Sequence, residues 1–185
     1  MNGQLPFEGD TFIPKEILKL KQIFGIENVV ETGSQYGATL EWFINNFNKA
    51  VGCEPNNEFY NIAHKRCGIA VFNEMSIDFI NGFEYGDQRT LFYIDSHWHG
   101  TPCPLKEELD LIYLESLKKE PVILIHDFKV PDHPEFGYDI YDYELRIEEI
   151  ESLLNKIYPN GYGHHYNEYS NGANRGIIYI YPKIK

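Results

Sequence analysis

Short apolar runs alternate with amphipathic segments along most of this chain, and all but one of the runs end on a polar residue. Asn28–Thr32, Ala50–Glu54, Ile69–Phe72, Thr90–Asp95 and Pro121–His126 read as strands. The runs Thr90–Asp95 and Pro121–His126 are apolar almost throughout, as strands buried on both faces of a parallel sheet are. Between the runs, Ile13–Phe24, Ala38–Phe47, Asn57–Cys67, Ser76–Phe83, Leu105–Lys119 and Tyr143–Tyr158 carry helical spacing. Gly25 stops the first of these, and Pro159-Asn160-Gly161 the last. Strands joined by helices require crossover connections, which place helices on both faces of the sheet. The end of the chain differs. Tyr162–Tyr169 and Gly176–Tyr181 are separated only by a short turn containing Asn171-Gly172, too short for a crossover helix, so they pair as an antiparallel hairpin.

The expected fold class is α/β: a Rossmann-like, mostly parallel sheet with helices on both faces and a C-terminal antiparallel hairpin. The chain of 185 residues is expected to form one domain, 1–185, with 1–25 as an N-terminal helix or lid segment. The net charge of −12, from 28 acidic and 16 basic residues, repels phosphate backbones and anionic membranes. No apolar run is long enough to span a bilayer. The expected partner is therefore a small-molecule substrate, with no nucleic acid and no membrane; a homo-oligomer is the protein contact left open. Three cysteines without a CxxC pair, and no apolar leader, point to a reduced, cytoplasmic setting.

In open α/β sheets, ligands lie beyond the carboxyl ends of the strands. The first such segment is Glu31-Thr32-Gly33-Ser34-Gln35-Tyr36-Gly37. Gly33 lets the backbone turn and a ligand approach, and the following helix offers N–H groups to a carboxylate. Glu31 is placed to pair with a cationic amino group. That mixture suits a ligand bearing an amino acid better than a pyrophosphate. Glu54, about 20 residues after Gly33 at the end of the second strand, is placed to hold two ribose hydroxyls, with Pro55 fixing the exit. Met75 and Ser76 follow the third strand, where an adenine would stack on the one and bond to the other. The competing reading is a glycine turn that serves packing alone, in a flavodoxin-like domain.

Together these features resemble the class I S-adenosylmethionine-dependent methyltransferases, over roughly residues 12 to 182. The carriers are the acidic-x-Gly-x-x-x-Gly loop from Glu31 to Gly37, Glu54 ending the second strand, and the final hairpin. Phe92-Tyr93-Ile94-Asp95-Ser96-His97-Trp98, Pro104-Leu105, Glu107-Glu108-Leu109, Ile125-His126-Asp127-Phe128 and Val130-Pro131 look like a subgroup of small bacterial and phage proteins. The resemblance implies S-adenosylmethionine as cofactor, bound by Glu31, Thr32, Gly33, Ser34, Gln35, Gly37, Glu54, Pro55, Met75, Ser76 and Asp95. The implied activity is methyl transfer to a hydroxyl, or a nitrogen, of a small polar metabolite such as a sugar. That substrate would be held by the N-terminal segment and the 129–142 loop. Two alternatives stay open: a nicotinamide-dependent oxidoreductase, disfavoured because Glu31 stands where its fingerprint needs glycine, and a non-catalytic binding protein on the same fold.

Asp95-Ser96-His97-Trp98-His99 and His126-Asp127 end neighbouring strands and should converge. Three readings remain open. His97 is a general base oriented by Asp95 and Asp127. Alternatively, Asp95, Asp127 and His126 bind a divalent metal, Mg²⁺ or Ca²⁺ for an oxygen-rich set. Or the cluster only shapes the loop. A zinc site on His97, His99 and Cys103 lacks the second cysteine of the deaminase pattern. His133, His164 and His165 are expected at the surface. Arg175 either meets an anionic substrate or lies at the surface.

Overall fold

The computed structural model describes residues 5–82, 84, 86–98, 100–116 and 119–184. The strands β1 (Ile26–Thr32), β2 (Lys49–Cys53), β3 (Val71–Phe72), β4 (Arg89–Ile94), β5 (Val122–Ile125), β6 (Tyr162–Tyr166) and β7 (Ile178–Pro182) form one sheet in the order β3-β2-β1-β4-β5-β7-β6. The helices are α1 (Phe12–Phe24), α2 (Ala38–Asn46), α3 (Asn57–Cys67), α4 (Ser76–Gly82), α5 (Leu105–Ser116) and α6 (Ile147–Ile157). β1 to β5 pair in parallel, while β7 runs antiparallel to both β5 and β6. The hairpin is present, and its second strand is inserted between β5 and β6 rather than added at the edge.

The period of two along each strand divides the core into two layers. Val29, Ala50, Leu91, Tyr93, Val122, Leu124 and Tyr179 pack with Ile13, Ile17, Leu20 and Phe24 of α1, Leu40 and Phe43 of α2 and Ala63 of α3. Their neighbours Val30, Val51, Phe92, Ile94, Ile123, Ile125, Ile178 and Ile180 face Phe79 and Ile80 of α4, Leu105, Leu109 and Ile112 of α5 and the apolar stripe of α6. α1 to α3 thus cover one face, and α4 to α6 the other.

Several boundaries differ from the sequence expectation. Helix α6 begins at Ile147, not Tyr143, because the preceding residues are tied to a loop. The Leu145 N–H donates to the Asp139 carbonyl (3.3 Å) and the Leu145 carbonyl accepts from the Lys129 N–H (2.7 Å). Arg146 is extended, with φ −140°. β6 stops at Tyr166 because the Asn167 side chain takes over the ladder, its Oδ1 accepting from the Ile177 N–H at 2.7 Å. The third strand is two residues long, preceded by a 3-10 turn at Gly68–Ala70. Helices α4 and α5 end at Gly82 and Ser116; Phe83, Leu117 and Lys118 lie outside the described residues. Among the described residues no helix is long and apolar enough to cross a membrane.

Because β7 joins β5 to β6, its inward side chains support both neighbours. Ile180 is fully enclosed, so Ile180→Ala should lower unfolding free energy by about 2–5 kcal/mol in urea titration.

Candidate functional site

The strand register sets the geometry of the site. Thr32 is level with Cys53 on one side and Ile94 on the other; Cys53 is level with Phe72, and Ile94 with Ile125. The next residue of each strand therefore falls in one row: Asn73, Glu54, Gly33, Asp95 and His126. Backbone hydrogen bonds extend one step into that row, from the Glu54 N–H to the Phe72 carbonyl (2.9 Å), the Asp95 N–H to the Thr32 carbonyl (3.2 Å) and the His126 N–H to the Ile94 carbonyl (3.0 Å). β1 leads to β2 on one side while β4 leads to β5 on the other, so the crevice opens between β1 and β4.

Gly33 sits in the left-handed region at φ 78°, and a Cβ there would lie 2.2 Å from the Asp95 carbonyl oxygen. The Gly33 and Ser34 N–H groups donate to the Cys53 carbonyl, so they are not free for a ligand carboxylate. Glu31 is buried, and its Oε2 has no hydrogen-bond partner. Burial pushes its carboxyl up to about 8, with Ser34 offsetting part of the rise. Glu54 is also buried, and its oxygens accept the Gln35 and Asn56 N–H groups, each at 2.8 Å. Burial still raises its carboxyl. A carboxylate oxygen has about two lone-pair sites, so each oxygen keeps one for a ligand. Pro55 is exposed, and Gly37 caps α2 at φ 74°. Met75 is largely exposed, while Ser76 is buried with its side chain bonded to Glu108. The hydroxyl expected to meet an adenine is thus engaged from below.

Beyond β4 and β5, five charged groups alternate in sign. Arg175 Nε donates to Asp127 Oδ1, and its Nη2 to Asp139 Oδ1. His126 Nδ1 lies 3.2 Å from Asp127 Oδ1 and 3.4 Å from Asp95 Oδ1. Burial disfavours the charged ring, but Asp95 and Asp127 outweigh it and hold His126 well above the usual imidazole range. Burial likewise opposes the Asp127 charge, and His126 with Arg175 overrides it, holding that carboxyl well below the usual range. The sequence Asp139, Arg175, Asp127, His126, Asp95 is therefore an alternating chain that ends at the site.

His97 stands behind this chain. Its Nε2 lies 3.1 Å from the His126 carbonyl oxygen and 3.8 Å from Asp127 Oδ2. A carbonyl only accepts, so Nε2 carries the proton. Nδ1 has no hydrogen-bond partner. The side chain is 0% exposed, against 15% for Asp127 and 31% for Asp95. Asp95, His97 and Asp127 each bring one donor atom within 4.8 Å of the others. His126 faces the two carboxylates as a cation rather than as a third ligand. His99 lies outside the described residues.

The N-terminal segment reaches this region. Phe7 is buried against Trp42, Phe43 and Tyr93, and its N–H donates to Thr39 Oγ1 at 2.9 Å. Phe7 and Glu8 both adopt φ 52°, in the left-handed region. Glu8 lies within electrostatic reach of His126, Asp95, Asp127 and Arg175. Phe7, Glu8, His126 and Arg175 line one narrow, half-open cleft.

The sequence reading missed Phe7, Glu8 and Asp139 altogether and did not assign Glu108 a role. Ser96 Oγ donates to Oε1 of the wholly buried Glu108 carboxyl at 2.6 Å, the Thr32 and Ser76 hydroxyls lie beside it, and its Oε2 has no hydrogen-bond partner. The available signals were Pro6 and Gly9 flanking Phe7-Glu8, and an acid at an inward position of α5 next to Leu105 and Leu109. Arg175 is half-buried and bridges two carboxylates, so it does not lie free at the surface. His164 is exposed and His133 pairs with Glu135, but His165 is half-buried and stacks on Tyr179 at 4.8 Å, which corrects the expectation of a surface residue.

No protein-family model matches the sequence, and no curated protein matches it. Solved structures do. An O-methyltransferase from Bacillus cereus in complex with S-adenosylhomocysteine (SAH) matches with a TM-score of 0.59 at 19% identity, over 94% of this chain and 81% of that one. An S-adenosylmethionine-bound amino pentose methyltransferase from Micromonospora echinaspora matches at 0.58 and 14%, over 95% and 93%. A SAM-dependent methyltransferase from Archaeoglobus fulgidus matches at 0.58 and 14%, over 92% and 94%. The chain has the class I methyltransferase fold. These matches span nearly its whole length.

Within that fold, Gly33 is held by both its backbone angle and the Asp95 carbonyl. Gly33→Ala should cost more than about 2 kcal/mol of stability, read as a lowered thermal midpoint.

Proposed function

We propose that this protein transfers a methyl group from S-adenosylmethionine to a hydroxyl of a small polar acceptor such as a sugar. The observation that carries the reading is Glu31: a buried carboxyl with an unpartnered oxygen, just before the tight Gly33 turn at the crevice between β1 and β4. When bound, the cofactor supplies a methyl group on a sulfonium, activated for in-line displacement. Glu31 holds the ligand's ammonium, and the two free lone-pair sites of Glu54 hold the ribose hydroxyls. Glu31 also stands where the nicotinamide fingerprint needs a glycine, which disfavours that alternative. That the similar structures include methyltransferases with bound cofactor or product adds support at the level of fold.

Asp95 is the most open carboxylate of the cluster, and His126 keeps a positive charge beside it. It is the group positioned to take the acceptor's proton. His97 is enclosed, with its Nε2 proton committed to a carbonyl, so the base assignment moves from His97 to Asp95. His97 braces Asp127 from behind.

A divalent ion on Asp95, His97 and Asp127 fits poorly. It would sit beside His126 and Arg175, two cations that already balance these carboxylates. Asp95→Asn should therefore lower turnover at least about tenfold with SAH affinity nearly unchanged, while a chelator leaves wild-type turnover unaltered.

Glu31 gives a pH test. With its carboxyl at about 8, it is mostly protonated in the free protein at pH 7, and a bound ammonium would ionise it. Binding of SAH at pH 7 should release about 0.9 proton, falling toward zero as the pH rises past that value. Calorimetry in buffers of different ionisation enthalpy reads this directly, and Glu31→Gln should abolish the release. A buffer-independent binding enthalpy at pH 7 would count against the Glu31 assignment.

A further inference from the structure

We propose that Arg175 is a positioning residue for Asp95, acting through Asp127 and His126; the proposal rests on the methyl-transfer reading and extends it to the turn of the C-terminal hairpin. Arg175 is 48 residues from Asp127 in sequence and is delivered to it by the turn between β6 and β7. The turn is fastened on several sides. Asn167 Nδ2 donates to the Arg175 carbonyl at 3.1 Å, the Gly137 N–H to the Asn174 carbonyl at 2.8 Å, and the Gly176 N–H to the Gly137 carbonyl at 2.8 Å. Gly137 lies directly against the guanidinium: a Cβ there would come within 2.8 Å of Arg175 Nη1. The backbone is thus shaped to admit this side chain, and a surface arginine would need no such space.

The consequence lies in which oxygens are taken. Arg175 and His126 both engage Asp127 Oδ1, leaving Oδ2 toward His97. Asp127 is itself held at φ 55°, and its carbonyl accepts the Asp139 N–H at 2.9 Å. With Oδ1 fixed from the hairpin side, the His126 ring sits between Asp127 and Asp95 in one orientation, and Asp95 faces the crevice. Without Arg175, Asp127 and Asp139 become two buried carboxylates with His126 as their nearest cation, and His126 would be drawn away from Asp95. The planar fork of arginine matches two carboxylates at once; an ammonium reaches one.

Arg175→Ala and Arg175→Lys test this. Both should bind SAH with wild-type affinity by calorimetry, while kcat falls at least about tenfold in Arg175→Ala and less in Arg175→Lys. Methylguanidinium added to Arg175→Ala should restore part of the lost kcat, which a general loss of packing would not allow. A readout independent of turnover is the Nδ1–H resonance of His126 in ¹⁵N-histidine-labelled protein. It should shift in Arg175→Ala and return with methylguanidinium. Wild-type kcat in Arg175→Ala, or an unshifted His126 resonance, overturns the proposal. So does a parallel loss of SAH affinity and kcat in both variants without recovery by methylguanidinium. Wild-type protein that fails to bind SAH defeats the methyl-transfer reading instead, and the His126 resonance still decides whether Arg175 positions the chain of charges.

Discussion

The exits of β1 and β4 meet with no space between them, and most of the site follows from that contact. At Gly33 the chain turns against the Asp95 carbonyl at a separation no side chain could share. The two strands then lead away in opposite directions, β1 toward β2 and β4 toward β5. A crevice must open where neighbours part, and the residues just past the shared register row become its floor. The same closeness places Glu31, Glu54 and Asp95 near enough that the charges of Asp95 and Glu54 add to the burial that raises Glu31.

Such a concentration of acid in a chain of net charge −12 needs local compensation, and the structure supplies it differently for each group. Glu54 receives backbone N–H groups. Glu108 receives the Ser96 hydroxyl on one oxygen. Asp127 and Asp139 share a guanidinium, and Asp95 has an imidazolium. Glu31 and Glu108 each keep an oxygen without a hydrogen-bond partner, and of the two it is Glu31 that lies just before the Gly33 turn. Buried polar groups are ordinarily satisfied, so on the methyl-transfer reading the Glu31 oxygen is the one an external cation would complete.

The strands and their terminal acids were legible because central parallel strands are uniformly apolar, and the first polar residue after such a run marks its end. Gly33, Glu54, Asp95 and His126 were found that way. Pairing of β4 with β5 then followed from sequence adjacency. What was not legible depends on tertiary contact between distant segments. Arg175 follows a polar turn that looks like any surface loop, and only the fold shows it reaching Asp127. Phe7 precedes the first helix and gives no periodic signal, yet it plugs the core beside Tyr93. The apolar spacing from Tyr143 onward suggested helix, but the backbone of Leu145 is claimed by Asp139 and Lys129. The enclosure of His97 was equally invisible, since sequence gives proximity to a strand end and not access to solvent.

The insertion of β7 between β5 and β6 also bears on the order of assembly during synthesis. A ribosome makes β5 and then β6 before the strand that must lie between them. β6 therefore has no neighbour to bond until β7 emerges, and the exposed edge of β5 waits as well. Arg175 leaves the ribosome just ahead of β7, so Asp127 and Asp139 spend that interval without their guanidinium. Nascent chains halted before Arg175 would hold the Gly33 turn and Glu54 but lack a neutralised charge cluster. The polar half of the site is thus the last to form, after the first five strands have left the ribosome.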